Sequence, residues 1–343
     1  MSATEPKPSS PAAQRAIITD GLREAVVRRF GAAADIDDVV FTSLGGSNLT
    51  VLFSLVDGAA RRRLVFRQET IIPENSPFLD PSRQFRVLEL LYPEGLLVPE
   101  PIFQFDDGDR LSRAYVVAFV EGESLPRRLL DAPGFARARE RFCAQAGEFL
   151  GRLHALDPAP AEFLADVPDS IDPIAATMDR IERWGASLPA LELAVRWLER
   201  HRPPTAPRRL LHGDFRTGNM LMDEEGIRAV LDYECAHLGA PMEDLGWLCL
   251  RSFRFGHVDR PVGGFGPREP FYAAYAAASG RAVDSEEVRW WEIFGFIRWV
   301  HYNVMQMYGH VTGARRSTAF AACGRNIALI EYELLMTLKG HYT

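Results

Sequence analysis

In the segment Leu210 to Asp244, LLHGDFRTGNMLMDEEGIRAVLDYECAHLGAPMED, two carboxylates and an amide are spaced so that they could work together. Two short apolar runs, Asn219 to Met222 and Arg228 to Leu231, flank the acidic turn at 223–226, which is the pattern of a tight β-hairpin. Asp214 and Asn219 come before the first strand and Asp232 follows the second, so closing the hairpin gathers all three at its mouth. Two carboxylates and an amide oxygen suit a hard cation such as Mg²⁺, which takes oxygen ligands and keeps several waters. The same trio could serve phosphoryl transfer. One Asp would accept a hydroxyl proton while Asn and the other Asp hold the metal on nucleotide phosphates. The alternative is a metal-free hairpin with surface acids.

The elements around this segment fall into two compositions. Residues 1–13 are rich in Pro, Ser and Ala and read as a disordered tail. From Gln14 to Phe30, apolar residues at 17, 18, 22, 26, 27 and 30 predict an amphipathic helix, stopped at Gly31. Strand patterns follow at Val39 to Ser43, Asn48 to Val56 and Arg63 to Gln68, then a helix at Pro81 to Leu91, then strands at Pro99 to Phe105 and Ala114 to Val120. From about residue 121 the pattern turns helical, at Phe135 to Leu156, Pro173 to Trp184 and Leu191 to His201. The expectation is an α+β chain of three parts: a tail at 1–13, a small antiparallel-sheet lobe at 14–120 and a larger, mainly helical lobe at 121–343.

Composition excludes several functions. A chain of 343 residues, 47% hydrophobic and 25% charged, can bury one large core or two medium ones. The most apolar stretch, Ile293 to Tyr308, is broken by Arg298, His301, Asn303 and Gln306, so no membrane-spanning helix and no membrane partner are expected. A net charge of −7 and a pI near 5.7 offer no field for nucleic acid. Cys143, Cys235, Cys249 and Cys323 lack the spacing of a zinc site or disulfide framework, which fits a reducing cytoplasm. Lysine occurs only at 7 and 339, which removes lysine Schiff-base chemistry and a Walker A loop.

The run His212-Gly-Asp-Phe-Arg-Thr-Gly-Asn219 resembles the catalytic loop of the aminoglycoside phosphotransferase and choline kinase superfamily, relatives of the protein kinases. Asp232, Gly239 and Asp244-Leu245 are similar to its second signature, and His154 in Gly-Arg-Leu-His-Ala-Leu-Asp to its preceding helix motif. The run Trp290 to Trp299, with the later Glu331 to Glu333, resembles the phosphotransferase-like domains associated with acyl-CoA dehydrogenases. The resemblance implies a bilobal protein kinase-like fold and an ATP- and Mg²⁺-dependent kinase acting on a small-molecule hydroxyl. It makes Asp214 the catalytic base and Asn219 and Asp232 the metal ligands, with His212 as structural support. For Asp244 it implies a brace under the catalytic loop. The residues alone equally allow a carboxylate in the first turn of the next helix, offsetting its unpaired N–H groups.

In the small lobe the resemblance places Gly45, Gly46 and Ser47 over the phosphates, a place that any Gly-Gly hairpin would also fit. Arg67 stands where many kinases carry Lys, and its planar fork can hold phosphate bidentately. Gln84 stands where a Glu would pair with that cation, with Glu69 and Glu74 as nearby substitutes. Phe119 to Glu121 resembles the hinge that reads adenine, though an apolar strand end looks the same. The departures at Arg67 and Gln84 also fit a pseudokinase that binds nucleotide or metabolite without turnover.

The acceptor pocket belongs, by the resemblance, to the far end of the large lobe. Residues 245–343 carry eleven Arg or Lys against eight Asp or Glu, a positive segment in a negative chain. Arg251, Arg254, His257 and Arg260 lie near Trp247, Phe253 and Phe255, which suits an anionic or acyl-bearing acceptor better than an aminoglycoside or choline. Arg298 and Tyr302 share a helical stripe with Trp291 and Met305. A structural ion pair for Arg298 is the competing reading.

Overall fold

The computed structural model describes residues 10–42, 48–69, 76–106 and 108–342. The chain forms two compact units. The first comprises Met1–Ile72, Asp80–Tyr92 and Pro99–Val120; the second comprises Pro73–Leu79, Pro93–Val98 and Glu121–Thr343.

In the first unit, α1 (Pro11–Phe30) begins earlier than the expected Gln14. Ser10 accepts the Ala13 N–H at 3.2 Å and Pro11 opens the first turn, so part of the expected tail is a helix start. Strands β1 (Ala34–Phe41), β2 (Asn48–Asp57) and β3 (Ala60–Glu69) follow, then α2 (Pro81–Leu91), β4 (Pro101–Gln104) and β5 (Ala114–Ala118). The sheet is antiparallel throughout, in the order β1-β2-β3-β5-β4.

Strand alternation sorts the side chains onto two faces. Val51, Phe53, Leu55, Leu64, Phe66 and Val116 are buried together with Ile18, Leu22, Ala25 and Val26 of α1. The helical residues recur at i, i+4, i+7 and i+8, the stripe that an amphipathic helix buries on a sheet. Each of the Val, Leu, Ile and Phe side chains among them contributes roughly 1.5–3 kcal/mol. Arg67 has the opposite parity. It pairs with Thr50 on one side and Tyr115 on the other, so the three share the face away from α1. Gln84 of α2 reaches this face, where its Oε1 accepts the Tyr115 hydroxyl at 3.1 Å.

The second unit continues with α3 (Pro126–Asp131), α4 (Ala136–Ala155), α5 (Pro168–Ile171), α6 (Pro173–Arg183) and α7 (Pro189–Arg200). Next come β6 (Arg209–Leu211), β7 (Met220–Asp223), β8 (Gly226–Val230) and β9 (His237–Gly239). The unit closes with α8 (Met242–Cys249), α9 (Arg268–Ser279), α10 (Ser285–Val311) and α11 (Thr318–Leu338). β6 pairs with β9 and β7 with β8, both antiparallel. Two short stretches that the sequence reading placed in the first lobe belong here. The Leu79 N–H donates to the Glu234 carbonyl and the Leu97 carbonyl accepts from Val230, each at 2.7 Å. α4 lies close against α9 because its contact positions are glycines. A Cβ on Gly147 would meet the Phe271 carbonyl oxygen at 2.2 Å, and one on Gly151 the Tyr275 oxygen at 2.8 Å.

α10 is the spine of this unit and carries the charges that apolar helices rarely bury. Arg298 is paired with Glu243 of α8 at 2.5 Å and lies 3.6 Å from Asp169, which Arg180 of α6 also binds at 2.6 Å. One turn on, His301 is fully buried, stacked 4° from parallel on Trp184, and neither ring nitrogen has a hydrogen-bond partner. Burial, reinforced by the Arg180 charge, pushes its pKa from 6.5 down to about 3. The folded protein therefore holds this imidazole neutral, while the unfolded chain takes up a proton first as the pH falls. Its contribution is fully present above pH 6.5 and is lost as the pH drops toward 3. Between pH 7 and 4.5 the wild type should lose roughly 2–3 kcal/mol more stability than His301→Phe. Urea unfolding of both proteins at the two pH values measures the difference, and equal losses would remove His301 as the cause.

Candidate active site

The loop from 212 to 219 joins β6 to β7, and its backbone is determined before its side chains are placed. Gly213 has φ +76°, and a Cβ there would lie 2.0 Å from the Cys235 carbonyl oxygen, so glycine is the residue that fits. Asp244, in the first turn of α8, does not cap its own helix. Its Oδ2 accepts the His212 N–H at 2.8 Å and its Oδ1 the Gly213 N–H at 2.9 Å. His154 of α4 approaches Oδ2 through Nε2 at 3.2 Å, and its Nδ1 lies 3.1 Å from the Tyr275 hydroxyl. Burial works to raise the Asp244 pKa, but the bonds from His154 and the loop hold it below the ordinary carboxylate value.

His212 is fully buried and its protons are accounted for. Nδ1 accepts the Asp214 N–H at 3.1 Å, so Nε2 carries the proton that it shares with the Leu231 carbonyl at 2.9 Å. Burial lowers its pKa, which matches this neutral tautomer. It ties the catalytic-type loop to the end of β8 and has no free nitrogen for acid or base work.

Asp214 is 8% exposed, and its carboxylate is held by three donors. Oδ1 accepts from Trp247 Nε1 at 2.9 Å and from Arg216 Nε at 3.0 Å; Oδ2 accepts from Asn219 Nδ2 at 2.6 Å. The hairpin gathers the other members of the trio. The Leu231 N–H donates to the Asn219 carbonyl at 2.8 Å, and Met220 pairs with Val230, so Asn219 and Asp232 flank the same end of the β7–β8 ladder. Asp232 takes φ 64°, ψ 63°, a left-handed conformation that Asp tolerates better than most residues and that turns the chain sharply out of the strand.

The Asn219 amide nitrogen is spent on Asp214, so its remaining polar atom is an oxygen. Together with Asp232 it makes an all-oxygen donor set suited to a hard cation. Among the described residues no group of three or more His, Cys, Asp or Glu could hold a metal by itself.

The expected acceptor residues divide. Trp247 and Tyr302 are buried beside Asp214, where Trp247 packs edge-on against Phe253, Trp299 and Tyr302, with centroids 5.0, 6.3 and 6.0 Å away. The three arginines are each engaged with other groups of the protein. Arg298 is committed to Glu243 and Asp169. Arg254 is 3% exposed and donates to the carbonyls of Val258 at 2.8 Å and Cys249 at 3.2 Å, holding its loop closed. Arg251 stacks over Tyr342 at 3.8 Å and lies 3.7 Å from Glu333. The cation beside the carboxylate is Arg216, which the sequence reading passed over although it stands two residues after Asp214. Its guanidinium lies over the rings of Phe253 and Trp299, at 5.7 and 6.0 Å.

The small-lobe residues need two corrections. Phe119 donates its N–H to the Arg63 carbonyl at 3.0 Å, and the Arg63 guanidinium covers its ring at 4.0 Å. Phe119 thus directly follows β5, with its N–H occupied by that carbonyl. Glu69 is ion-paired with Arg113 and is not the substitute partner for Arg67. Glu121 is exposed at the start of the second unit's main segment. Gly45, Gly46, Ser47 and Glu74 lie outside the described residues.

The phosphotransferase enzyme family profile matches residues 38–291, and the chain belongs to that family. It is 29% identical over 220 residues to mouse acyl-CoA dehydrogenase family member 10, covering 61% of this chain and 20% of the relative. It is also 28% identical over 181 residues to the homoserine kinase of Beijerinckia indica, covering 49% of this chain and 52% of the kinase. The chain therefore spans about a fifth of the first relative and half of the second. In fold it resembles a Ralstonia eutropha protein described as a candidate aminoglycoside phosphotransferase, with a TM-score of 0.69, 22% identity, and 94% of this chain and 98% of that one covered. The chain thus has a kinase-like fold within the phosphotransferase enzyme family.

Asp244→Asn keeps the size of the brace but leaves one of its two loop N–H groups facing a second donor. Thermal unfolding should show a loss of roughly 2 kcal/mol. Unchanged stability would show that the loop holds itself.

Proposed function

We propose that the protein is an ATP- and Mg²⁺-dependent small-molecule kinase that transfers the γ-phosphoryl group to a substrate hydroxyl, with Asp214 as the base. The observation that carries this reading is the Asp214 carboxylate, held at three points and joined to Asn219, with Asp232 at the adjoining hairpin end. In the reaction the acceptor oxygen attacks the γ-phosphorus, its proton passes to Asp214, and the bond from the γ-phosphorus to the bridging oxygen breaks to release ADP. Asn219 and Asp232 would hold Mg²⁺, which when bound supplies positive charge against the phosphate oxygens. Residues 14–120 serve the nucleotide, with Arg67 on the phosphates. Residues 121–343 serve catalysis and the acceptor.

Hydroxy acids and hydroxyacyl thioesters are the first acceptors to try. Arg216 and the rings of Trp247, Phe253 and Trp299 around the base suit an anionic or acyl-bearing molecule. The similarity to part of a protein named for acyl-CoA dehydrogenase supports the same choice.

Nucleotide consumption with Mg²⁺ over a panel of hydroxylated carboxylates and acyl thioesters should show turnover, with none on kanamycin-type aminoglycosides or choline. Efficient phosphorylation of either cation would overturn the acceptor class, and silence across the panel would favour nucleotide binding without turnover. Asp214→Asn should lower turnover by roughly 10²- to 10⁴-fold with nucleotide binding nearly intact. Asp232→Ala should abolish the difference between ATP affinities measured by calorimetry with and without Mg²⁺, since it removes the charged member of the metal pair. A difference that survives the substitution would move the metal elsewhere.

A further inference from the structure

We propose that Trp247 is a positioning residue: its indole N–H holds Oδ1 of Asp214 so that Oδ2 is the oxygen presented to the acceptor hydroxyl. The inference rests on the reading of Asp214 as the base. Oδ1 takes two donors, Trp247 Nε1 at 2.9 Å and Arg216 Nε at 3.0 Å, which together fill its in-plane lone pairs. Oδ2 takes one, Asn219 Nδ2 at 2.6 Å, and retains a lone pair.

What distinguishes Trp247 from the other two donors is its rigidity. Arg216 is a flexible chain within the loop itself. Trp247 is 2% exposed, and rings of Phe253, Trp299 and Tyr302 meet it edge to face, so the indole cannot rotate away. Trp247 also lies three residues after Asp244 on α8, one turn along the same face. One short helix therefore fixes the loop backbone through Asp244 and the carboxylate through Trp247. A phenylalanine would fill most of this apolar site without a polar atom. The indole brings in a buried N–H that must find an acceptor, and it finds Asp214.

Two measurements test the assignment. In the ¹⁵N-labelled full chain, the indole N–H signal lost in Trp247→Phe identifies Trp247 among the six tryptophans. That signal should move upfield in Asp214→Ala, and an unmoved signal would overturn the proposal with no acceptor needed. The second compares single-turnover transfer from MgATP to the best acceptor of the panel in the wild type, in Trp247→Phe and in protein with benzothienylalanine at 247. That analogue keeps the indole shape and replaces the N–H with sulfur, so it also serves if Trp247→Phe does not fold. Both replacements should slow transfer about 10- to 100-fold, with the KM values for ATP and acceptor within about twofold of wild type. A benzothienylalanine enzyme that transfers at the wild-type rate would leave Trp247 a packing role only. If Asp214→Asn is inactive in the same assay, that result removes this inference alone; if Asp214→Asn is active, the base assignment itself fails.

Discussion

Asp244 is a fully buried charge, and such a charge is stable only where hydrogen bonds replace the water it has lost. Here the replacement comes from the backbone of His212 and Gly213 and from the His154 ring. The donors are consecutive N–H groups of a loop that has no ladder to satisfy them, so the carboxylate and the loop complete each other. Gly213 can take the required φ only without a side chain, and His212 then reaches the Leu231 carbonyl. From that point Asp214 and the hairpin end are joined to one frame built by α4, α8 and β8. Removing the carboxylate would leave buried donors unpaired, which is why the interaction is worth more than a surface ion pair of the same geometry.

The same logic separates arginines that build the fold from those available to chemistry. Arginine supplies all but two of the basic residues, and its rigid fork suits buried pairing. Arg180 and Arg298 neutralise Asp169 and Glu243 inside the helical unit, and Arg254 crosslinks its own loop. Arg254 and Arg298 add to the positive balance of the segment after 245, yet both are engaged inside the protein. Arg216 is the exception, since its partner is the carboxylate proposed to do the chemistry. A count of charges along the chain cannot make that distinction, because the partners of Arg298 lie 55 and 129 positions earlier in sequence.

In the first unit, the face on which a residue stands decides its role. Leu64 and Phe66 face α1 and belong to the core, while Arg67 directly follows Phe66 in sequence and lies on the other side in space. Tyr115 and Gln84 share that side, and Gln84 is 3% exposed because the tyrosine hydroxyl occupies its amide oxygen. A glutamine at a position where a kinase would carry an acid is therefore a hydrogen-bonded part of the helix–sheet contact.

The sequence by itself determined the elements whose signals are local. Alternation gave the hairpin that carries Asn219 and Asp232, the 3.6-residue stripe located α1, and the motif from His212 to Asn219 placed Asp214 in its loop. It also identified the family, because the residues bearing that motif are close together in the chain. Only the tertiary structure decided what each long side chain touches. Asp244 could have capped its helix or braced the loop, and the choice depended on where α8 lies against residues 212 and 213. Trp247 is bonded to Asp214, Arg254 donates to carbonyls of its own loop, and Arg298, for which an ion pair was one of the two readings, is paired with Glu243. The physical reason is range. Backbone preferences and periodicity act over a few residues, whereas a buried N–H or guanidinium selects the nearest acceptor in space, and that acceptor is set by the packing of helices distant in sequence.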